Sequence, residues 1–322
     1  LLVTASRQAE PQERVLASSI VIDRASIELA QSRDLAELLR FHAGVEIART
    51  GGPGQQTSVF LRGTDSNQTL ILLDGVPINP GTIGNAALQN ISPQLLERVE
   101  IVKGPRSTLY GSEAIGGVIN LITRRASAEP GSDWGAEISG GGNATWDGGA
   151  SLYHTGQDLQ LGLDLSGLRT DGYAAREDSD IDLGHDNLNF NAFADTSLGA
   201  LQTRLSHWQS QGTTDYLDFF GSPLDQDYRS ATSALSLGAS PGERWDSRFN
   251  LSYFSDEIDQ NQSRDFAHTY RTRLDWQNDL SPDQLHPLTA GLTYTRERTR
   301  SLSFGSSYDE VVCNLDLYLQ DS

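Results

Sequence analysis

The chain has 322 residues, 37% of them hydrophobic, and a net charge of −19. No stretch approaches the roughly 18 consecutive apolar residues that a membrane-spanning helix requires. This excludes a helical membrane protein but not a membrane β-barrel, whose lipid face uses only alternate residues. Cys313 is the single cysteine, so an intrachain disulfide and a Cys-x-x-Cys metal site are also excluded.

The charge is unevenly placed. Residues 1–125 hold twelve Lys/Arg and twelve Asp/Glu, whereas residues 126–322 hold twelve and thirty-one. Two regions with different electrostatics meet near "TRRASAEPGSDWG", the expected domain boundary. The chain starts at Leu1 and contains no methionine, as a processed or cut product would.

The first region reads as mixed α/β. "SRDLAELLRFHAGVEI" puts Leu35, Leu38 and Leu39 on one helical face, with Ser32 or Asp34 as the cap and Gly44 as the stop. "SVFLRG" and "TLILLDGVPIN" are expected as short strands closed by Asp-Gly and Pro turns. "ISPQLLERVEIVKG" opens on Ser92 as N-cap with Pro93 at the first helical position, then passes into a strand. Gly51, Gly52 and Gly54 lack the spacing and the following helix of a dinucleotide fingerprint.

The second region changes period. Leu159, Leu161, Leu163 and Leu165 alternate with Gln160, Gly162, Asp164 and Ser166, and about ten such segments follow one another. Alternation fits a soluble β-sandwich as well as a membrane barrel. Segment length near 9–11 residues favours the barrel. So does the rhythm of long ("SQGTTDYLDFFGSPLDQDYRS") and short ("SPGERW") connections.

Three stretches are more specific. These are "LLVTASR", "GVEIARTGGPGQQTSVFLRGTDSNQTLILLDGVPIN" and "LERVEIVKGPRSTLYGSEAIGGVINLITRR". Together they resemble the TonB-dependent outer-membrane receptors, and within them the cobalamin receptors. The resemblance implies an α+β plug domain followed by an antiparallel transmembrane β-barrel, of which about ten strands are present. The expected division is 1–6 for the TonB box and N-terminal segment, 7–128 for the plug and 129–322 for the N-terminal part of a 22-stranded-type barrel. A truncated sequence or fragment is expected.

The resemblance carries further expectations. Leu1, Leu2, Val3, Thr4 and Ala5 would be a TonB box, an extended peptide that adds a strand to the C-terminal domain of TonB in the TonB–ExbB–ExbD complex. A plug inside a lumen is near neutral, and Arg62, Arg98, Glu100, Lys103 and Arg106 would meet the barrel wall with paired signs. The outward plug loops would touch substrate through Gln55, Gln56 and Thr57, then Asp65, Ser66 and Asn67, then Asn79, Pro80, Gly81, Thr82 and Ile83. These are mostly uncharged amide and hydroxyl groups, suited to a large neutral corrinoid such as cobalamin. A siderophore, haem or glycan receptor is the alternative within transport; a non-transport surface-binding β-domain is the alternative outside it.

Between Asp171 and Asp227 lie eleven acids against two arginines. "EDSDIDLGHDN" suggests calcium, whose preference for oxygen ligands suits clustered carboxylates, although it is not an EF-hand. A solvated acidic loop reads equally from the composition. By resemblance, Asp171, Asp180, Asp182, Asp218, Asp225 and Asp227 would supply the Ca2+ ligands. No catalytic residue is named. The expected protein is a monomeric, non-enzymatic transporter in the outer membrane of a Gram-negative bacterium, in contact with its lipid and not with nucleic acid.

Overall fold

The computed structural model describes residues 17–321, apart from Ser112, Glu243 and residues 282–287. The N-terminal part begins with β1 (Ser19–Asp23), α1 (Arg24–Ala30) and α2 (Leu35–Leu39). Asp23 caps α1 by accepting from the Ser26 amide at 2.9 Å, and Asp34 caps α2 by accepting from the Glu37 amide at 2.8 Å. Of the two caps expected, Asp34 and not Ser32 is the one used. The helix ends at Leu39, short of Gly44. Burial pushes the Asp34 carboxyl above the usual carboxylate range, against the pull of the Arg49 guanidinium.

Strands β2 (Val45–Arg49) and β3 (Thr57–Leu61) form a separate hairpin. Then come β4 (Thr69–Leu73), β5 (Val76–Pro77), β6 (Leu96–Lys103), the single turn α3 (Ser107–Tyr110) and β7 (Gly117–Thr123). They pair in the order β1-β6-β7-β4-β5, with β4 and β7 parallel and the other pairs antiparallel. All five residues of β4 are buried, as expected of a strand covered on both faces. Asp74 and Gly75, both at positive φ, make the tight turn into β5. Ser92 accepts from the Gln94 amide and Pro93 opens a 3-10 turn, so the cap read in the sequence is present on a shorter helix.

The second part is one meander: β8 (Gly131–Gly140), β9 (Trp146–Thr155), β10 (Leu159–Tyr173), β11 (Leu183–Leu198), β12 (Leu201–Leu217), β13 (Pro223–Gly242), β14 (Trp245–Gln260), β15 (Phe266–Leu280), β16 (Leu288–Ser303) and β17 (Ser306–Asp321). These ten strands pair antiparallel in chain order, with β8 and β17 at the two edges. Leu159, Leu161, Leu163 and Leu165 lie on the exposed outer face of β10, while Asp164 and Ser166 lie buried on the inner face. Outer-face Trp146, Trp245, Trp276 and Tyr294 are exposed as well. Apolar and aromatic residues outside with polar residues inside are the transmembrane-barrel arrangement, not that of a sandwich.

One expectation is corrected. "SQGTTDYLDFFGSPLDQDYRS" is not a long loop: β12 runs to Leu217, β13 begins at Pro223, and only residues 218–222 form the tip. These strands have 17 and 20 residues. A tilted membrane strand needs about 9–11, so both run on beyond the hydrocarbon. There the outer face no longer needs apolar side chains, and the alternation fades into Gln211, Thr213, Asp227 and Arg229.

Candidate functional site

The inner face of the sheet is organised in cross-strand rows. One row runs Ser166, Asn189, Ser210, Ser230, Asp256, Thr269 and Thr299 from β10 to β16. It meets the plug through short polar side chains. Ser210 donates to the Asn90 carbonyl at 2.7 Å, and Asn187, two residues before Asn189 on β11, donates to the same oxygen at 3.0 Å. The Ser166 and Ser92 hydroxyls are 2.9 Å apart. Such bonds each contribute only about 0.5–1.5 kcal/mol, but leaving any of these buried groups unpaired costs more.

The next row runs Asp164, Asn191, Trp208, Thr232, Phe254, Arg271 and Glu297. Trp208 and Phe254 pack into the plug's own hydrophobic core, with Leu35, Leu38 and Leu39 in the same cluster. Asp164 accepts from Asn191 at 3.1 Å and from the Tyr153 hydroxyl, and lies 3.6 Å from Arg124 of the plug.

Arg271 ties barrel to plug with two hydrogen bonds from one side chain. Its guanidinium pairs with Glu297 at 2.5 Å and donates to the carbonyls of Pro77 at 3.1 Å and Asn79 at 2.7 Å. It also stands 5.5 Å from the centre of the Phe254 ring. At 5% exposure this is a desolvated ion pair, stabilised because its remaining donors find carbonyls. Only a planar, multi-donor guanidinium can serve a carboxylate and two carbonyls at once.

Below this row the lumen is hollow. A cavity of about 750 Å³ lies between β4–β5 of the plug and the wall of β12–β15. Ser206, Ala234, Ser252, Ser236 and Gly238 leave the space, and Arg204, Arg248, Arg273, Asp195 and Asp275 line it with both signs of charge. The cavity reaches the turn after β9 at Gly156–Asp158. The plug loop 51–56 lies at the opposite end. There a Cβ on Gly54 would meet the His185 ring, and the Gln55 amide donates to the Asp215 carbonyl at 2.5 Å.

The expected substrate residues divide into two groups. Gln56, Asp65, Asn67, Gly81 and Ile83 are exposed and Thr82 is half-buried. Gln55, Thr57, Ser66, Asn79 and Pro80 are buried. Asn79 accepts from the Ile71 amide and donates to the Thr69 and Gly84 carbonyls, Ser66 accepts from the Val59 amide, and Thr57 donates to the Gln55 carbonyl. These side chains brace the plug loops and leave the exposed group to face the outside.

The expected plug–barrel charges are placed differently from those that touch the wall. Arg98 pairs with Glu100 at 2.9 Å within β6, and Lys103 donates to the Ala43 carbonyl. Arg62 sits at positive φ close to Gly104, and Arg106 is half-buried at the start of α3. The wall is instead met by Asn90, Ser92, Gln94, Arg124 and the carbonyls of Pro77 and Asn79. Main-chain oxygens leave no trace in a sequence. The inward parity of Arg271 and Glu297 on their strands was the one available signal.

Among the described residues no three carboxylate, His or Cys side chains converge as a metal cage does. Asp218 accepts from the Phe220 and Ser222 amides of its own tip, and Asp227 accepts from Thr213 at 2.6 Å. Asp225 accepts from Asn261 and Gln262. Asp171, Asp180 and Asp182 are exposed, in or beside the connection between β10 and β11. The carboxylates are thus gathered at one end of the sheet but not drawn to a point. Leu1–Ala5 lie outside the described residues.

Comparison with known proteins agrees with this architecture. The family model of the TonB-dependent receptor plug domain matches residues 11–118. The chain is 32% identical over 324 aligned residues to the vitamin B12 transporter BtuB of Photobacterium profundum, covering 96% of this chain and 52% of that protein. It therefore spans about half the length of that relative. Among solved structures, the pyoverdine-bound FpvA of Pseudomonas aeruginosa matches with a TM-score of 0.81 at 12% identity, over 99% of this chain and 51% of that one. The siderophore receptor PirA of the same species matches at 0.73 and 21%, over 98% and 53%. These two show the fold. With a plug domain of this family seated against an antiparallel barrel sheet, and a 32% identical relative matched along 96% of this chain, the chain belongs to the TonB-dependent receptors.

Proposed function

We propose that the receptor imports a corrinoid of the cobalamin class across the outer membrane, coupled to the TonB–ExbB–ExbD complex through Leu1–Ala5. The observation that carries this reading is the 32% identity to a vitamin B12 transporter, sustained over 96% of the chain. The similarity to siderophore receptors lies at 12–21% identity among the structures compared, which speaks for fold and not for ligand.

The chemistry of the exposed plug loops supports the same reading. Gln56, Asn67, Thr82 and Ile83 offer amide, hydroxyl and apolar contacts with Asp65 as the only charge, which suits a large neutral ligand rich in amides. An anionic ferric chelate would favour a mouth lined by Arg and Lys. Calcium binding by Asp171, Asp180, Asp182, Asp218, Asp225 and Asp227 belongs to the same proposal, supported by the crowding of carboxylates at the strand tips. Import requires no covalent step: the ligand binds at the tip end, and work delivered through the N-terminal segment opens the plug.

Uptake of labelled cobalamin by whole cells tests the proposal. Deleting the receptor should abolish cobalamin uptake and leave ferric siderophore uptake unchanged; the reverse pattern would assign it to iron.

A further inference from the structure

Within one cross-strand step the lumen passes from filled to hollow. The row of Trp208, Phe254 and Arg271 is closed against the plug, and the next row, Ser206, Ala234, Ser252 and Arg273, already lines the 750 Å³ cavity. We propose that Arg271 is the latch of the transport path. Its grip on the Pro77 and Asn79 carbonyls holds segment 77–82 across the lumen, and release of that grip joins the tip side to the cavity below. The inference rests on the import function proposed above.

Four observations place the latch here. First, β5 is the edge of the plug sheet and the segment is tied within it only to β4, through the pairs Leu72–Pro77 and Leu73–Val76, the Ile78 amide on the Ile71 carbonyl and the Asn79 side chain on Ile71 and Thr69, so it can leave without breaking the central β6–β7 pair. Second, Pro77 faces both sides: Arg271 binds its carbonyl, and the residue lines the cavity together with Val76. Third, the segment is seated without slack. A Cβ on Gly81 would fall 2.2 Å from Glu297 Oε1 and 2.7 Å from Thr299 Cγ2, so the loop and the ion pair must move together. Fourth, Ser206, Ala234, Ser236, Gly238 and Ser252 of the wall beneath leave open space, which Arg204, Arg248 and Arg273 line without filling.

Glu297 acts as the positioning residue. By taking Nε and one terminal nitrogen of Arg271 it aims the remaining donors at the plug carbonyls. A lysine is a point charge on a flexible stem and cannot hold a carboxylate and two carbonyls together. Arg271→Lys should therefore weaken the latch without abolishing the charge.

The test is influx of nitrocefin into cells that lack TonB, read by a periplasmic β-lactamase, with barrel folding checked by heat-modifiable migration. Arg271→Ala should raise influx severalfold and Arg271→Lys less so. Arg298→Ala, which removes an exposed outer-face pair with Asp309, should leave it at the parent rate. In the Arg271→Ala background, the pair Gly81→Cys and Thr299→Cys should suppress the leak when oxidised and restore it when reduced. A folded Arg271→Ala receptor with parental influx overturns the latch, as does an oxidised pair that leaks as fast as the reduced one. If the alanine variant fails to fold, Arg271→Lys carries the same comparison. The assay contains no transported nutrient, so its failure counts against the latch alone, whereas loss of cobalamin specificity in the parent receptor counts against the import reading alone.

Discussion

Trp208 and Phe254 lie in one cross-strand row of the barrel, separated by Thr232, yet both close the hydrophobic core of the plug, at 3% and 1% exposure. The wall thus supplies part of the core it encloses. At this level plug and barrel bury a common apolar surface, and separating them exposes both sides.

Phe254→Ala should accordingly loosen the plug by about 3–5 kcal/mol, the usual cost of emptying a large aromatic site. It also removes the ring beneath Arg271. Trp208→Phe should cost far less, because the buried Trp208 Nε1 has no hydrogen-bond partner and deleting an unsatisfied donor offsets the lost area. Protease cleavage of the plug in rising urea measures both. A Phe254→Ala plug as resistant as the parent's would refute the shared-core account.

Much of this was legible in the sequence, and the gaps have physical reasons. The outward leucines of β10 declare their strand because lipid demands an apolar residue at every second position. Asp34 and Ser92 declare their turns because a cap requires a side-chain oxygen there. The length of β12 and β13 was hidden because above the hydrocarbon water replaces that demand. Apart from Arg124, the plug side of these contacts was hidden because it uses small neutral groups and carbonyls, whereas charge counting pointed to Arg98 and Glu100, which pair with each other within β6.

Gly54 should tolerate no side chain. It sits at φ +71°, and a Cβ there would fall 2.2 Å from His185 Nδ1, whose ring is held by Thr214 at 2.9 Å and stacked on Tyr228. Gly54→Ala is therefore expected to displace loop 51–56 and release Gln55 from the Asp215 carbonyl. Adding His185→Ala should relieve the clash but not the backbone strain, giving partial recovery. Hydrogen exchange of residues 50–57 would report it, and full protection in Gly54→Ala would sink the prediction.

Val3→Pro tests coupling at the N-terminal segment. Proline removes one amide donor and cannot continue strand pairing, so energised uptake should fall while ligand binding at the cell surface persists. Unchanged uptake would show that residues 1–5 do not carry the coupling.

The calcium proposal is tested by affinity with and without chelator. EDTA should weaken ligand binding, and Asp180→Asn with Asp182→Asn should make binding insensitive to EDTA, since neutral amides lower the charge that draws a hard cation. If EDTA leaves the parent's affinity untouched, the carboxylates are solvated tips and nothing more.

Leu163 and Asp164 are neighbours in sequence and face opposite media, so two substitutions one residue apart should fail in different ways. Leu163 is 42% exposed on the outer face of β10, and Leu163→Arg near the bilayer midplane should cost about 2–4 kcal/mol of barrel stability through the price of a charge in lipid. Asp164 is buried on the inner face beside Tyr153, Asn191 and the plug's Arg124. Asp164→Ala leaves a half-buried guanidinium without its carboxylate, for which about 3–5 kcal/mol is typical of a fully buried pair and sets the upper bound here. Its effect should fall on plug docking and spare barrel insertion. Folding into lipid vesicles, followed by urea titration of the barrel and proteolysis of the plug, separates the two. If Leu163→Arg loosened the plug while Asp164→Ala impaired insertion, the assignment of inner and outer faces would be reversed.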